Sequence, residues 1–128
     1  MSKKQRLSWR PRPVAADLNA AARFLSLINT PAQIKYLVGA LRRNKAVDHA
    51  AKDLLRASGL ALLPRDEPQV EADLKKVRRG KSLSPVLLVV GDMTLGIPLT
   101  VADGYHRICA VCYFDEDASV SCRLVSRG

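Results

Sequence analysis

The sequence predicts an α+β domain, in which helices pack on a small mixed sheet and a helical N-terminal extension precedes it. Three observations indicate this class. Apolar residues recur at helical spacing through the first half of the chain, short apolar runs occur in the second half, and a strand-to-helix turn lies near the C-terminus. At 128 residues the chain is long enough for one hydrophobic core but not for two. We therefore expect one compact domain, in three parts: residues 1–13, 14–58 and 59–128.

The first part, residues 1–13, is polar and basic and is interrupted by Pro11 and Pro13. Proline cannot continue a helix or donate to a sheet, so a regular element is not expected here. Trp9 is the exception in this polar segment, and its side chain is expected to attach the segment to the body. We predict a basic flexible arm.

The second part, residues 14–58, contains three predicted helices, over residues 14–28, 31–43 and 49–58. Thr30 is a favourable N-cap for the second helix, and Gln33 completes a capping box with it. The sequence leaves three roles open for these helices: they cap the sheet, form a homodimer interface or present a binding surface.

The third part, residues 59–128, contains the sheet. We predict strands over residues 60–63, 85–90, 99–102 and 119–125. A helix is expected over residues 68–79 and a second one from Tyr105 onward, where the apolar period becomes helical. Residues 91–98 form a hairpin-like connection between two of the strands.

The turn Asp103-Gly104-Tyr105-His106-Arg107 joins the third predicted strand to the last helix. A helix that starts here leaves backbone N–H groups without acceptors, and its dipole adds partial positive charge. Gly104 allows close approach, and Arg107 supplies a guanidinium fork. These features together are typical of a phosphate site. The alternative is that Asp-Gly is only a turn and the His-Arg pair only surface decoration.

This turn resembles the signature of the ParB/sulfiredoxin-like superfamily, in which a Gly-X-His-Arg or Gly-Glu-Arg-Arg turn holds nucleotide phosphates. The resemblance extends from about residue 54 to 125 and implies the ParB/sulfiredoxin-like fold. It also implies ATP or another nucleotide as ligand, with Mg²⁺ as an accompanying ion. The implied phosphate-binding residues are Asp103, Gly104, Tyr105, His106, Arg107 and Lys76.

Departures from the family pattern narrow the implied activity. Tyr105 stands where sulfiredoxins carry the reactive cysteine, so sulfinic acid reduction is not expected. The Asp-Gly-X-His-Arg form is closer to the free-serine kinases of the superfamily, which implies Asp66 or Glu67 as a general base. The resemblance thus implies a small ATP-dependent phosphotransferase or a nucleotide-dependent regulator. The alternative is a DNA-associated binding module without catalysis.

The formal charge of +9 indicates contact with a polyanion such as nucleic acid. Most of the cations fall into three clusters: Lys3, Lys4, Arg6, Arg10 and Arg12; Arg42, Arg43 and Lys45; Lys75, Lys76, Arg78, Arg79 and Lys81. The alternative is that each cluster is only a solvated face.

No apolar run approaches the roughly 20 residues of a membrane span, and no apolar stretch follows the basic N-terminus as in a signal peptide. We expect a cytoplasmic protein without a membrane partner. Three cysteines, an odd number, favour reduced thiols over a disulfide framework. Cys109 and Cys112 have the Cys-X-X-Cys spacing of zinc and redox sites, but no second such pair completes a tetrahedral zinc site. We interpret them as small buried thiols and predict no metal-binding residues.

Overall fold

The computed structural model of the protein describes residues 7–127, which form five α-helices and one four-stranded mixed sheet. The helices are α1 (Ala15–Leu25), α2 (Pro31–Arg43), α3 (Ala51–Ser58), α4 (Pro68–Arg78) and α5 (Tyr105–Phe114). The strands are β1 (Val47–Ala50), β2 (Val86–Val89), β3 (Thr100–Asp103) and β4 (Ser119–Val125). The predicted α+β class is confirmed.

The sheet has the order β1-β4-β2-β3. β2 and β4 run parallel at its centre, with Val86 opposite Cys122, and the two outer pairs are antiparallel. All four residues of β2 are buried, as expected for a central strand covered on both faces. The turn that carries the candidate site therefore leaves the sheet from β3, which is an edge strand.

Helices cover both faces of this sheet. On one face α1 and α2 pack on Leu87, Val89 and Val125. On the other face, α3 and α5 pack on the side chains that alternate with these, including Val86 and Leu88. α4 lies against α5 and completes this layer. The first two helices of the predicted extension are thus one of the two helical layers of the domain, and they cap the sheet; dimerisation through them stays a prediction.

Local sequence signals explain several helix ends. Thr30 and Gln33 form the predicted capping box, in which Thr30 Oγ1 accepts from the Gln33 backbone and Gln33 Oε1 accepts from the Thr30 backbone. α3 ends at Gly59, which has φ +70° and takes the left-handed conformation that glycine adopts without penalty.

The strand predicted over residues 60–63 is wrong. This segment has no regular secondary structure and pairs with no strand among residues 7–127. Two of its carbonyl groups accept from side chains instead, since the hydroxyl of Tyr105 donates to Ala61 O and that of Tyr113 donates to Leu63 O at 2.6 Å. Two tyrosines of α5 thus hold the segment.

β1, at Val47–Ala50, is a strand that the sequence analysis did not predict. It pairs with the start of β4, and His49 lies opposite Val120. The third helix consequently begins at Ala51 rather than at His49. The N–H of Ala51 donates to Ala118 O at 3.1 Å, which joins the helix start to the same edge.

The described part of the N-terminal arm lies along the body. Trp9 bridges to Leu83, and Leu83 donates to Ser8 O at 2.9 Å while accepting from the N–H of Arg10 at 2.7 Å. Residues 1–6 of the predicted arm lie outside the described residues. Within residues 7–127, none of the helices has the length and apolar character needed to cross a membrane.

Candidate phosphate-binding site

The backbone at the end of β3 requires glycine. Gly104 has φ +109°, a conformation that L side chains rarely adopt. A Cβ built there would lie 2.5 Å from Val86 Cγ1 and 3.0 Å from Arg107 Nη2. Gly104 therefore lets the strand turn into α5 while its backbone rests directly on β2.

The N-terminus of α5 is open. The N-cap is Gly104, which has no side chain to accept a hydrogen bond, and the first helical bond runs from the N–H of Ile108 to Gly104 O at 3.0 Å. The N–H groups of the first turn, those of Tyr105, His106 and Arg107, have no acceptor inside the helix. The positive end of the helix dipole points the same way. An acceptor from outside the helix is therefore favoured here.

One face of α4 is directed towards this helix start. Gln69, Asp73 and Lys76 follow one another at spacings of four and three residues, which places them on one side of α4. Together with the turn they line a polar cavity of about 280 Å³ that is open to solvent on one side, here called the α5 cavity. Its lining residues are Gln69, Asp73, Lys76, Asp103, Gly104, His106 and Arg107.

Arg107 is engaged by the protein's own carboxylates. Nη2 donates to Asp103 Oδ2 at 2.8 Å, and Nη1 lies 3.4 Å from Asp17 Oδ2 of α1. Only 15% of the Arg107 side chain is exposed. Its Nε has no partner among residues 7–127, so one donor of the guanidinium is left unused. The charge of Arg107 is therefore balanced internally, and the residue chiefly connects α1, β3 and α5.

Carboxylates match the permanent cations around the cavity. Asp73 and Asp103 line it together with Lys76 and Arg107, and Asp17, outside the lining, adds a third carboxylate beside Arg107. Burial raises the pKa of Asp73, and the nearby Arg107 and Lys76 offset only part of this rise. Burial likewise raises the pKa of Asp103, against the hydrogen bond from Arg107. An additional cation nearby would stabilise the ionised form of both carboxyl groups.

The proposed general bases lie beside the cavity rather than in it. Glu67 caps α4, and its Oε1 accepts from the N–H groups of Gln69 and Val70 at 2.7 and 2.9 Å. Its Oε2 lies 3.7 Å from His106 Nε2 at the cavity edge. Asp66 is exposed on the preceding loop and does not line the cavity.

The structure brings together five of the residues indicated by the sequence: Lys76, Asp103, Gly104, His106 and Arg107. Tyr105 is not among the lining residues, because its side chain reaches Ala61 O instead. The sequence interpretation missed Asp73 and Asp17. Asp73 could have been predicted, since it lies on the same face of α4 as Lys76. Asp17 could not, because its partner Arg107 is 90 positions later in the chain and no local pattern indicates the pair.

Residues 7–127 contain no group of three or more His, Cys, Asp or Glu side chains arranged to hold a metal. Of the three cysteines, Cys109 and Cys122 are buried as free thiols. The residues of a metal-ligating type that line the α5 cavity are Asp73, Asp103 and His106. Comparison of the chain with protein-family models, curated proteins and solved structures finds no match.

Proposed function

We propose that the protein binds a nucleotide through its phosphates in the α5 cavity, as a complex with Mg²⁺, and belongs to the ParB/sulfiredoxin-like superfamily. The observation that carries the proposal is the convergence of an open helix N-terminus, Lys76 and two carboxylates in one polar cavity of about 280 Å³. Backbone N–H groups and a lysine suit phosphate oxygens. The superfamily assignment is supported by the element order α4-β2-β3-turn-α5-β4, with β4 parallel to β2.

The charge balance favours a metal complex over a bare nucleotide. A polyphosphate alone would add negative charge to a cavity whose two cations are already matched by Asp73 and Asp103, with Asp17 as a further carboxylate beside Arg107. Mg²⁺ is commonly held by one or two carboxylates together with substrate phosphates. Asp73 and Asp103 fit that donor set, and a site of this kind needs no third protein ligand. The ion would neutralise phosphate charge and offset the energetic cost of burying the two ionised carboxylates.

Each remaining group has a part in binding. The N–H groups of the first turn of α5 would donate to phosphate oxygens, and Lys76 would pair with an oxygen from the α4 side. His106, with 44% of its side chain exposed, would donate from the cavity edge. Arg107 would act as a positioning residue, because its hydrogen bond to Asp103 joins the first turn of α5 to the end of β3.

Calorimetric titration tests the proposal. ATP, ADP and CTP are each titrated in Mg²⁺ and in EDTA, and we expect at least one to bind at least about tenfold more tightly with Mg²⁺. Lys76→Ala should weaken that binding by about tenfold, the effect of one charge-assisted hydrogen bond. Lys75→Ala is the matched control, since Lys75 is an exposed neighbour on α4 outside the cavity. Absence of binding by all three nucleotides, or equal effects of the two variants, contradicts the proposal.

Turnover is a separate hypothesis, supported by the position of Glu67 beside His106. A phosphotransferase would move the γ-phosphate of labelled ATP to a small hydroxyl metabolite or to water. Glu67→Gln should then lower the rate while ATP still binds. If wild-type protein binds ATP but transfers no label, the function is that of a nucleotide-dependent regulator.

A further inference from the structure

A second charged region lies at the C-terminal end of α2, away from the α5 cavity. It forms a groove of about 470 Å³ lined by Arg12, Arg42, Arg43, Asn44, Lys45 and Arg123, here called the basic groove. A neighbouring depression of about 280 Å³ shares Arg12 and Arg42 and continues along α1 to Asn19. Arg12 of the first basic cluster thus meets the second cluster, Arg42, Arg43 and Lys45, on one surface.

Arg123 is the buried cation of the basic groove and connects two of the segments that line it. It lies on β4 and is 6% exposed. Its terminal nitrogens donate to the backbone carbonyls of Pro11, Arg42 and Asn44, which joins the N-terminal arm to the end of α2. The Nε atom is buried without a partner among residues 7–127. Carbonyl groups satisfy hydrogen bonds but carry no net charge, so the positive charge of Arg123 stays uncompensated.

The other cations of the basic groove are also without counter-charges. Over residues 7–127, no carboxylate lies within ion-pair distance of Arg12, Arg42, Arg43, Lys45 or Arg123. Burial lowers the pKa of Arg123, and the charge of Arg12 lowers it further. Arg107 differs in this respect, because two carboxylates face it. The basic groove, not the α5 cavity, is therefore the region where an unaccompanied anion is favoured.

We propose that the basic groove binds the phosphate backbone of double-stranded nucleic acid, without sequence preference. A duplex is a dense polyanion, with about one charge per 1.7 Å of its axis, and it suits an extended row of cations. Three of the four exposed cations are arginines, whose forks match phosphate oxygens. No aromatic side chain of residues 7–127 lines the groove, so the stacking platform typical of single-strand binding is missing.

Fluorescence anisotropy with a labelled mixed-sequence DNA duplex tests this assignment across a salt series. Four exposed cations, each neutralising one phosphate, predict a slope of log K against log salt of about −3.6. Raising the salt from about 50 mM to about 200 mM should then weaken binding by about 150-fold. This binding uses residues separate from the α5 cavity and does not depend on nucleotide.

Paired variants distinguish the groove from overall charge. Arg42→Ala/Arg43→Ala removes two lining arginines at the end of α2 and should make the slope shallower by about 1.8. Arg78→Ala/Arg79→Ala removes the same charge from the end of α4 and should leave the slope unchanged. Arg42→Lys/Arg43→Lys should keep the slope, and thermal melting followed by circular dichroism checks the fold of each variant.

Three results would overturn the assignment. Equal loss of slope in the two double-alanine variants would assign the binding to net charge alone. Tighter binding of a single strand than of the duplex would assign it to unpaired nucleic acid. Equal competition by polyglutamate would indicate an acidic protein as the partner.

Discussion

Replacement of Gly104 by alanine is the most demanding perturbation of the turn. Two separate penalties are expected. The first is backbone strain, because φ +109° lies where an L residue is disfavoured by about 1–2 kcal/mol. The second is overpacking, because the new methyl group would lie 2.5 Å and 2.8 Å from Val86 Cγ1 and Cβ. Forced overpacking of a closed core costs about 1–3 kcal/mol.

The two penalties together predict that Gly104→Ala lowers the free energy of unfolding by about 2–5 kcal/mol. With a urea m-value of about 2 kcal/mol/M, the midpoint falls by about 1 to 2.5 M. The second penalty cannot relax easily, since Val86 is fully buried in the central strand.

Gly59→Ala is the matched control. Gly59 also has a positive φ, +70°, but an added Cβ would meet nothing within 4 Å. It should therefore lose only the strain component, about 1–2 kcal/mol. Equilibrium urea unfolding of both variants separates the two components. A Gly104→Ala midpoint no lower than that of Gly59→Ala would refute the close packing of the turn on β2.

Three further predictions concern single side chains. Asp73→Asn should raise the urea midpoint at pH 7, because burial raises the pKa of the Asp73 carboxyl in the folded protein. Above that pKa the ionised carboxylate lowers the stability of the wild type. The gain should vanish below about pH 3.9, where the carboxyl is protonated in both the folded and the unfolded protein. At pH 8 a thiol reagent should label the half-buried Cys112 before Cys122, because burial raises the pKa of Cys122 to about 12, and mass spectrometry of the labelled protein checks the order. Tyr113→Phe should lower the free energy of unfolding by about 1 kcal/mol, since Leu63 O loses its donor, and chemical denaturation measures the loss.

The sequence was most informative where a local rule is sufficient. The capping box at Thr30 predicts where α2 begins, because side chain and backbone satisfy each other within four residues. β2 is an apolar run bounded by turn residues, which is why its position was predicted closely. The turn at Gly104 was predicted for the same reason, since its residue types and the change of period lie side by side.

The sequence-based predictions failed where the structure of a segment depends on contacts with residues distant in sequence. β1 is short and exposed, and only pairing with β4 makes it a strand. Residues 60–63 have the composition of a strand, but two of their carbonyl groups accept hydrogen bonds from tyrosines of α5. The charge balance at Arg107 depends on Asp17, which approaches only after α1 has packed on β3. The site's residue types were therefore predictable, while its net charge was not.

Amide chemical shifts during titration with Mg²⁺-ATP test the central claim most directly. If phosphates bind at the start of α5, the largest changes should fall on the N–H signals of Tyr105, His106 and Arg107, with Lys76 following. Changes confined to residues 42–45, in the basic groove, would contradict a nucleotide site at the turn. So would a spectrum that Mg²⁺-ATP leaves unaltered.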